Sequence, residues 1–225
     1  MKIKNLSYKH HKQAPYFFKD FSFDLPPGQM HALHGKNGVG KSVLLNVLAQ
    51  NVGKDAIIDG EVHIQNAYLM NQKFDQMLAC KFTVADHLQF STFGRFPKLF
   101  NKMNHFQTPS YLHDLFDKFH IQIDLPVSKL SGGQRQILAL MMILQKNPDL
   151  LLLDEPTAAL DEQNAIMVFD FLSSLKDVTM LIVCHNKDLI HTYANGQHLH
   201  LDVNSDGVRF LQANDNSLQF CNKFV

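Results

Sequence analysis

Apolar and polar residues alternate near the start of the chain. The alternation at residues 21–25 is typical of a half-buried strand, and Pro26-Pro27-Gly28 predicts a turn with a hairpin-like opening. A second short strand is predicted at residues 30–34. A glycine-rich loop follows at residues 35–40, and the apolar residues at positions 43, 44, 47 and 48 lie on one face of a predicted helix. The order strand, loop, helix places this loop directly before a helix N-terminus.

Helical spacing replaces the strand pattern between about residues 76 and 129, with Pro97 and Pro109 as breaks, and we interpret this stretch as a helical insert. The pattern then predicts a helix through Ile143 and, in chain order, a buried strand at 150–153, a helix from 161, a strand at 180–183 and a hairpin around 205–207. Strands that alternate with helices imply a parallel α/β sheet.

Composition and charge narrow the class of protein. The 225 residues are 45% hydrophobic and 19% charged, which fits one globular domain with or without an insert. The 21 lysine and arginine residues balance 21 aspartate and glutamate residues, so nucleic acid is not expected as a partner. No apolar run approaches the roughly 20 residues that span a bilayer and no signal peptide is evident, so we expect a soluble, cytoplasmic chain. The spacing of Cys80, Cys184 and Cys221 predicts free thiols.

One segment carries a phosphate-binding pattern. The pattern G-x-x-x-x-G-K-[ST] of a P-loop is matched by Gly35, Lys36, Asn37, Gly38, Val39, Gly40, Lys41 and Ser42. Its glycines let backbone N–H groups turn toward phosphate oxygens, and the following helix adds the positive end of its dipole. We expect Lys41 to reach the β and γ phosphates and Ser42 to ligate Mg²⁺. ATP and Mg²⁺ are therefore the predicted cofactors.

Two carboxylates follow the predicted strand at residues 150–153. Asp154 and Glu155 would lie at its carboxyl end, where ligands bind in open α/β sheets. Asp154 would belong to the Mg²⁺ shell, and Glu155 would polarise the attacking water as general base. Taken alone, two acids after a strand are equally consistent with a solvated loop.

Together with these acids, a second motif carries a family resemblance. Leu130-Ser131-Gly132-Gly133-Gln134, followed by Asp154-Glu155-Pro156-Thr157, resembles the signature and Walker B elements of ABC-type ATPases. Gln72 is similar to the Q-loop glutamine, Asp161 to the D-loop aspartate, and His185 to the switch histidine. The resemblance covers nearly the whole chain.

The resemblance implies an α/β fold, a P-loop NTPase ABC cassette with a parallel core sheet, an antiparallel β subdomain and a helical insert. The single domain 1–225 would comprise a nucleotide-binding core, 1–75 and 146–225, and a helical subdomain, 76–145, carrying the signature motif.

It also implies that two cassettes pack head to tail, so that Ser131, Gly132, Gly133 and Gln134 of one chain complete the site of the other. Independently, Ser131 has the chemistry of an ordinary helix cap. His185 would hydrogen-bond the γ-phosphate, and Gln72 would sense the metal and couple the site to the insert.

Some residues depart from the family pattern. The position that usually stacks on adenine falls nearest His10, with Tyr8 and Tyr16 as competitors. His34 stands before the P-loop where an aliphatic residue is usual. His198 and His200 share one strand face, which fits either metal binding or, as we favour, a solvated strand face. In the insert, Phe93, Phe96 and Phe100 are candidates for contact with a partner.

We expect an active ATPase that forms a homodimer with ATP and energises a membrane permease from the inner face of the membrane. A narrower resemblance is to ATPases of amino-acid-type importers, which would add a substrate-binding lipoprotein as a partner through the permease. The alternatives are an export or lipid-trafficking ATPase, or a soluble ABC ATPase that remodels a protein complex. A regulatory nucleotide-binding partner is disfavoured because Glu155 and His185 are both present.

Overall fold

The computed structural model describes residues 1–64, 66–92, 110–205 and 207–214. Its strands are β1 (Lys2–Lys9), β2 (Phe18–Asp24), β3 (Met30–His34), β4 (Ile57–Val62), β5 (Ala67–Met70), β6 (Leu150–Asp154), β7 (Thr179–Val183), β8 (His198–Val203) and β9 (Arg209–Asn214). Its helices are α1 (Lys41–Leu48), α2 (Val84–Thr92), α3 (Ser110–Lys118), α4 (Gly132–Leu144), α5 (Glu162–Ser174) and α6 (Lys187–Tyr193), with 3₁₀ turns at Phe74–Met77 and Val127–Lys129. None of these helices has the length and apolar character needed to cross a membrane.

The chain divides into two compact units. Unit one comprises Met1–Asn71, Asp149–Pro156 and Val168–Val225, and unit two comprises Gln72–Pro148 and Thr157–Met167. All the strands named above belong to unit one, whereas α2, α3 and α4 belong to unit two.

The larger sheet of unit one has six strands in the order β5-β6-β7-β3-β8-β9. The pairs from β5 through β8 are parallel, and β9 joins β8 in the antiparallel direction. Every residue of β6 and β7 is buried, as expected for central strands with both faces covered. The predicted parallel α/β sheet, the buried strand before Asp154 and the final hairpin are confirmed.

The smaller sheet is antiparallel, with three strands in the order β2-β1-β4. Phe21 and Phe23 are buried in β2 while Ser22 is exposed, which confirms the predicted alternation. The hairpin-like opening predicted after β2 is wrong, because β2 pairs with β1 whereas β3 pairs with β7 in the larger sheet. The turn that redirects the chain uses Gly28 at φ +68, whose N–H bonds to the Thr179 hydroxyl oxygen at 3.2 Å.

An apolar core joins the two sheets and α1 within unit one. It contains buried residues of β1 and β2, the apolar face of α1, and the inward side chains of the central strands. Phe18 and Phe21 stack in it with ring centroids 4.6 Å apart. On α1, Leu44, Val47 and Leu48 face this core, as their spacing predicts.

Unit two is helical among its described residues. Helix α4 is buried at nearly every position from Gln136 to Leu144. Val84 and Leu88 of α2 and Leu115 of α3 are also fully buried. The apolar positions that predicted helices in this part of the sequence are therefore buried where the structure describes them.

A buried histidine holds β3 to the segment before β8. His31 is fully buried, its Nε2 donates to the Pro26 carbonyl at 2.9 Å, and its Nδ1 accepts from the Gln197 N–H at 2.8 Å. Burial lowers the pKa of His31, so the neutral ring persists. A Cβ added to Gly196 would lie 2.3 Å from His31 Nδ1, so only glycine lets the backbone approach the ring.

We expect Gly196→Ala to destabilise the fold. The added methyl must displace the His31 ring and break its hydrogen bonds, a loss of about 1–3 kcal/mol. Urea denaturation with the midpoint and slope fitted together measures this change. Gly53→Ala is the matched control, since nothing lies within 4 Å of a Cβ there. Equal midpoints for the two variants would contradict the close packing at Gly196.

Candidate functional site

Three neighbouring parallel strands of unit one end at the same edge of the sheet. Strands β6, β7 and β3 are adjacent, and their carboxyl ends lead into Asp154 and Glu155, His185, and the P-loop respectively. Because parallel strands present their carboxyl ends together, the predicted phosphate loop, acidic pair and histidine meet at one place. These three motifs are far apart in the amino-acid sequence, and the strand order of the sheet brings them together.

The P-loop ends in a helix that has no side-chain cap. Gly40 is the N-cap of α1, and no side chain of the described residues caps the first-turn N–H groups. Lys41 Nζ donates to the carbonyls of Gly35 and Lys36 at 2.7 and 3.2 Å, so the amine is held against the loop. Uncapped N–H groups beside a cation form a suitable anion site.

The pKa of Lys41 depends on its burial and on two nearby carboxylates. Burial lowers the pKa of Lys41, while the carboxylates of Glu155 and Asp154 act in the opposite direction. Asp154 is buried at the end of β6, and Ser42 is exposed on the first turn of α1. A carboxylate and a hydroxyl are hard oxygen donors of the kind that Mg²⁺ takes, so these residues fit a magnesium ion.

Glu155 is held in an uncommon backbone conformation. Its φ is +57°, although it is not glycine and it precedes Pro156. Its N–H bonds to the Val183 carbonyl at 2.9 Å, and the His185 N–H donates to Glu155 Oε2 at 3.3 Å. These bonds to the last residue of β7 and to His185, two residues beyond it, hold the strained residue in place, as is common at functional sites.

The Glu155 side chain is buried and paired with a histidine. Only 7% of Glu155 is exposed, and His185 Nε2 lies 3.4 Å from Glu155 Oε1, with the histidine side chain 66% exposed. Burial raises the pKa of Glu155, and the nearby His185 opposes this rise. A carboxylate of raised pKa beside an exposed imidazole is suited to accept a proton.

The predicted signature residues lie in unit two, at the start of α4. Ser131 is exposed and forms a capping box: its Oγ accepts from the Gln134 N–H at 3.1 Å, and Gln134 Oε1 accepts from the Ser131 N–H at 3.0 Å. Gln134 Nε2 also donates to the Phe119 and His120 carbonyls. The helix-cap alternative for Ser131 is therefore observed, with Gln134 as its second half.

The signature glycines and the D-loop also lie in unit two. A Cβ on Gly133 would meet Leu160 Cδ2 at 2.6 Å, so this glycine permits a close approach of the residues before Asp161. Asp161 accepts hydrogen bonds from the backbone and side-chain N–H groups of Asn164, and these lower its pKa. Gln72 is exposed at the first position of unit two.

Aromatic residues gather between β1 and β2. Tyr8 is buried, so it is a poor candidate for stacking on a base, and its hydroxyl lies 3.0 Å from Nδ1 of the exposed His10. The His10 ring packs edge-on against Phe17 at 5.2 Å. Phe17 in turn lies against Gly40 of the P-loop. Phe17 was not among the residues singled out from the sequence, because the family spacing indicates His10, with Tyr8 and Tyr16 as competitors.

The expected solvated face at His198 and His200 is wrong. His198 is buried and His200 is half-buried, because β3 pairs in parallel with β8 and places His34 opposite His200. His34 Nε2 lies 2.9 Å from His198 Nδ1, and the His34 and His200 rings stack at 4.6 Å. Among the residues described, no group of three or more His, Cys, Asp or Glu side chains is placed to hold a metal. Two sequence features indicate this cluster: a histidine at position 34, where an aliphatic residue is usual, and the His-x-His pattern of His198 and His200.

The thiol prediction holds where the structure describes the residues. Cys80 and Cys184 form no disulfide bond with another described residue. Cys221 lies outside the described residues, as do Phe93, Phe96, Phe100 and Asp206.

A strand, a glycine-rich loop and an uncapped helix beside an acidic strand end define the class of P-loop nucleoside triphosphatases. Within that class, the sequence profile of the ABC transporter family matches residues 18–158. The chain belongs to this family and is an ABC-type ATPase.

Similar proteins agree with this family. The energy-coupling factor transporter ATP-binding protein EcfA1 of Staphylococcus aureus is 26% identical over 196 residues, which cover 82% of this chain and 72% of the relative. The dimeric structure of MJ0796, a bacterial ABC transporter cassette, matches with a TM-score of 0.68 at 18% identity, over 95% of this chain and 97% of that one. The structure of cbiO1 from Clostridium perfringens, part of the ABC transporter complex cbiONQ, matches with a TM-score of 0.69 at 21% identity, over 95% and 87% of the two chains. The two structures share the fold of this chain.

Because His34, His198 and His200 form a histidine cluster, we expect the fold to lose stability in acid. Burial, together with the nearby His200, His198, Lys187 and Lys41, lowers the pKa of His34 to about 4. The unfolded chain binds a proton at this residue below about pH 6.5, whereas the folded chain does so only near pH 4. The free energy of unfolding therefore falls as the pH drops between these values, by about 1.4 kcal/mol per pH unit.

We expect His34→Leu to flatten this pH dependence, measured by urea denaturation from pH 7.5 to 4.5. The raised pKa of Glu155 acts with the opposite sign but is common to both proteins, so the difference isolates the cluster. His11→Gln, at an exposed position, is the control. Parallel stability curves for wild type and His34→Leu would refute the assignment.

Proposed function

We propose that this ABC ATPase hydrolyses ATP at the P-loop site of unit one, with Mg²⁺, and that hydrolysis energises a membrane permease which imports a small solute such as an amino acid. The observation that carries the catalytic part is the pairing of buried Glu155 with His185 beside the P-loop. The transport part is supported by EcfA1, whose name is that of a transporter ATP-binding protein.

Each residue of the proposed site has a separate task. The residues from Gly35 to Gly40 bind the phosphates through backbone N–H groups, and Lys41 neutralises the β and γ phosphates. Ser42 and Asp154 of unit one would hold Mg²⁺, which supplies charge neutralisation on the phosphates when bound. His10 remains the proposed adenine contact.

Glu155 takes the proton from the attacking water. The His185 N–H already binds Glu155 Oε2 and fixes the carboxylate, so the group needs little reorganisation. The burial that raises the Glu155 pKa makes it a stronger base than an exposed glutamate. The exposed imidazole of His185 would donate a hydrogen bond to the γ-phosphate and keep the water in register.

A second copy of the chain would complete the site. We propose that Ser131, Gly132, Gly133 and Gln134, with Asp161 beside them, act on nucleotide bound to the partner chain. Ser131 is exposed at the N-terminus of a 13-residue helix, where the positive dipole end favours a phosphate. The dimeric assembly of MJ0796 supports this proposal.

The proposed permease contact lies in unit two, which would place the chain on the inner face of the membrane. Phe82 and Phe90 are 46% and 53% exposed, with ring centroids 5.6 Å apart, and Met77 is 41% exposed. Large apolar side chains exposed together are typical of an interaction surface. A substrate-binding lipoprotein would join through the permease. The name of the cbiONQ complex, to which cbiO1 belongs, supports assembly with other subunits.

We expect Glu155→Gln to bind ATP but to hydrolyse it at least about 100-fold more slowly, because the amide cannot accept a proton. Phosphate release and ATP affinity, measured on the same preparation, test this. Glu61→Gln changes an exposed glutamate of β4 in the same way and should retain full turnover. Unchanged turnover in Glu155→Gln would remove Glu155 from the role of general base.

We expect tagged Glu155→Gln protein, isolated with Mg-ATP from gently solubilised membranes of its native cells, to bring down a polytopic permease. Combining Glu155→Gln with Phe82→Ser and Phe90→Ser should reduce that recovery several-fold, since apolar contact is lost. Ile58→Ser, at an exposed apolar position of β4, is the matched control. Mass spectrometry identifies the proteins recovered.

The partners recovered also decide between functions. A lipoprotein recovered with the permease supports import, and a permease without one favours export or lipid trafficking. If only soluble proteins are recovered, the transport proposal fails and a remodelling ATPase takes its place.

A further inference from the structure

An arginine of the last described strand lies against the P-loop. Arg209 opens β9, where it pairs with Val203 of β8 in the antiparallel register. Its Nε donates to the Val39 carbonyl at 2.7 Å, although 170 positions separate the two residues in sequence. A strand that belongs to no phosphate-binding motif, β9, therefore contacts the P-loop.

The hydrogen bond to Val39 fixes the direction of the next N–H group. A trans peptide is planar, so the Val39 carbonyl and the Gly40 N–H point to opposite sides. With the carbonyl directed at Arg209, the Gly40 N–H points away from the guanidinium. Backbone N–H groups of this loop are the donors for phosphate oxygens, so their direction determines affinity.

Phe17 packs against both the arginine and the loop. The Arg209 guanidinium lies 3.7 Å from the centroid of the Phe17 ring, and its Nη1 donates to the Phe17 carbonyl at 3.2 Å. A Cβ on Gly40, which has φ +116°, would lie 2.6 Å from Phe17 Cε1 and 3.5 Å from Arg209 Nε. The absence of a side chain at Gly40 allows this packing.

The arginine charge has no carboxylate partner among the described residues. The guanidinium contacts two carbonyls and an aromatic face, and no described Asp or Glu oxygen lies within 4 Å of it. Arginine stays protonated in proteins, so a positive charge persists behind the loop. A polyanion at the loop would be attracted by this charge.

We propose that Arg209 is a positioning residue for nucleotide binding: it holds the Val39 carbonyl, directs the Gly40 N–H to the phosphate side of the P-loop, and adds a positive charge behind it. This role rests on the proposed function, since it requires ATP at the P-loop. Arg209 acts through the loop and Phe17 and does not itself contact the reacting atoms.

The test compares Arg209→Met with Arg209→Lys in the full chain. Methionine keeps an apolar stem against Phe17 but removes the charge and the donors, whereas lysine keeps the charge and one donor. We expect Arg209→Met to raise the ATP Kd and KM about tenfold, with kcat at saturating ATP and the melting temperature close to those of wild type. Arg209→Lys should restore most of the affinity. Gln212→Met, at an exposed position of the same strand, is the matched control.

The outcomes separate this proposal from the proposed function. Wild-type affinity in Arg209→Met overturns the positioning role and leaves ATP binding intact. A loss of affinity that matches the fraction of unfolded protein, without rescue by lysine, shows a purely structural role and also overturns it. If the wild-type chain itself binds no ATP, the proposed function fails first. If Arg209→Met does not fold, Arg209→Gln replaces it with the same expected rise in Kd and KM.

Discussion

The parallel pairing of β6, β7 and β3 is the constraint on which the site depends. Parallel strands must end together at one edge of a sheet, so three segments distant in sequence deliver a phosphate loop, two carboxylates and a histidine to the same place. The complete burial of β6 and β7 fixes their register. A shift of one residue would bring Leu153 to the position of Asp154 and turn the carboxylate to the other face.

Burial opposes the ionisation of both the acidic and the basic side chains at this edge of the sheet. Burial raises the pKa of Glu155 and lowers that of Lys41, so it favours the neutral form of both groups. The carboxylates of Glu155 and Asp154 act in the opposite direction on Lys41 and favour its charged form. The backbone of Glu155 adds conformational strain of order 1–3 kcal/mol. The apolar core of unit one supplies the stability that keeps these unfavourable groups in place.

Local motifs predicted much of the fold and of the site, and long-range packing decided the rest. The P-loop, the buried strand before Asp154 and the amphipathic helix α1 follow from spacing within a few residues. The partner of β2 does not, because Pro26 and Gly28 specify a turn but not the sheet that receives the next strand. The burial of His198 depends on its neighbour β3, far away in sequence. The contact of Arg209 with Val39 has no local signal for the same reason.

The place of β3 between β7 and β8 has a consequence for biosynthesis. This strand leaves the ribosome early, but both of its hydrogen-bonding neighbours are encoded about 150 residues later. At roughly 5–20 residues per second, its two edges would wait about eight to thirty seconds for partners. During that interval the nascent strand exposes unpaired N–H and C=O groups, which makes it a candidate for chaperone protection. Nucleotide-binding competence would therefore arise only late in translation, when the sequence through β8 has emerged.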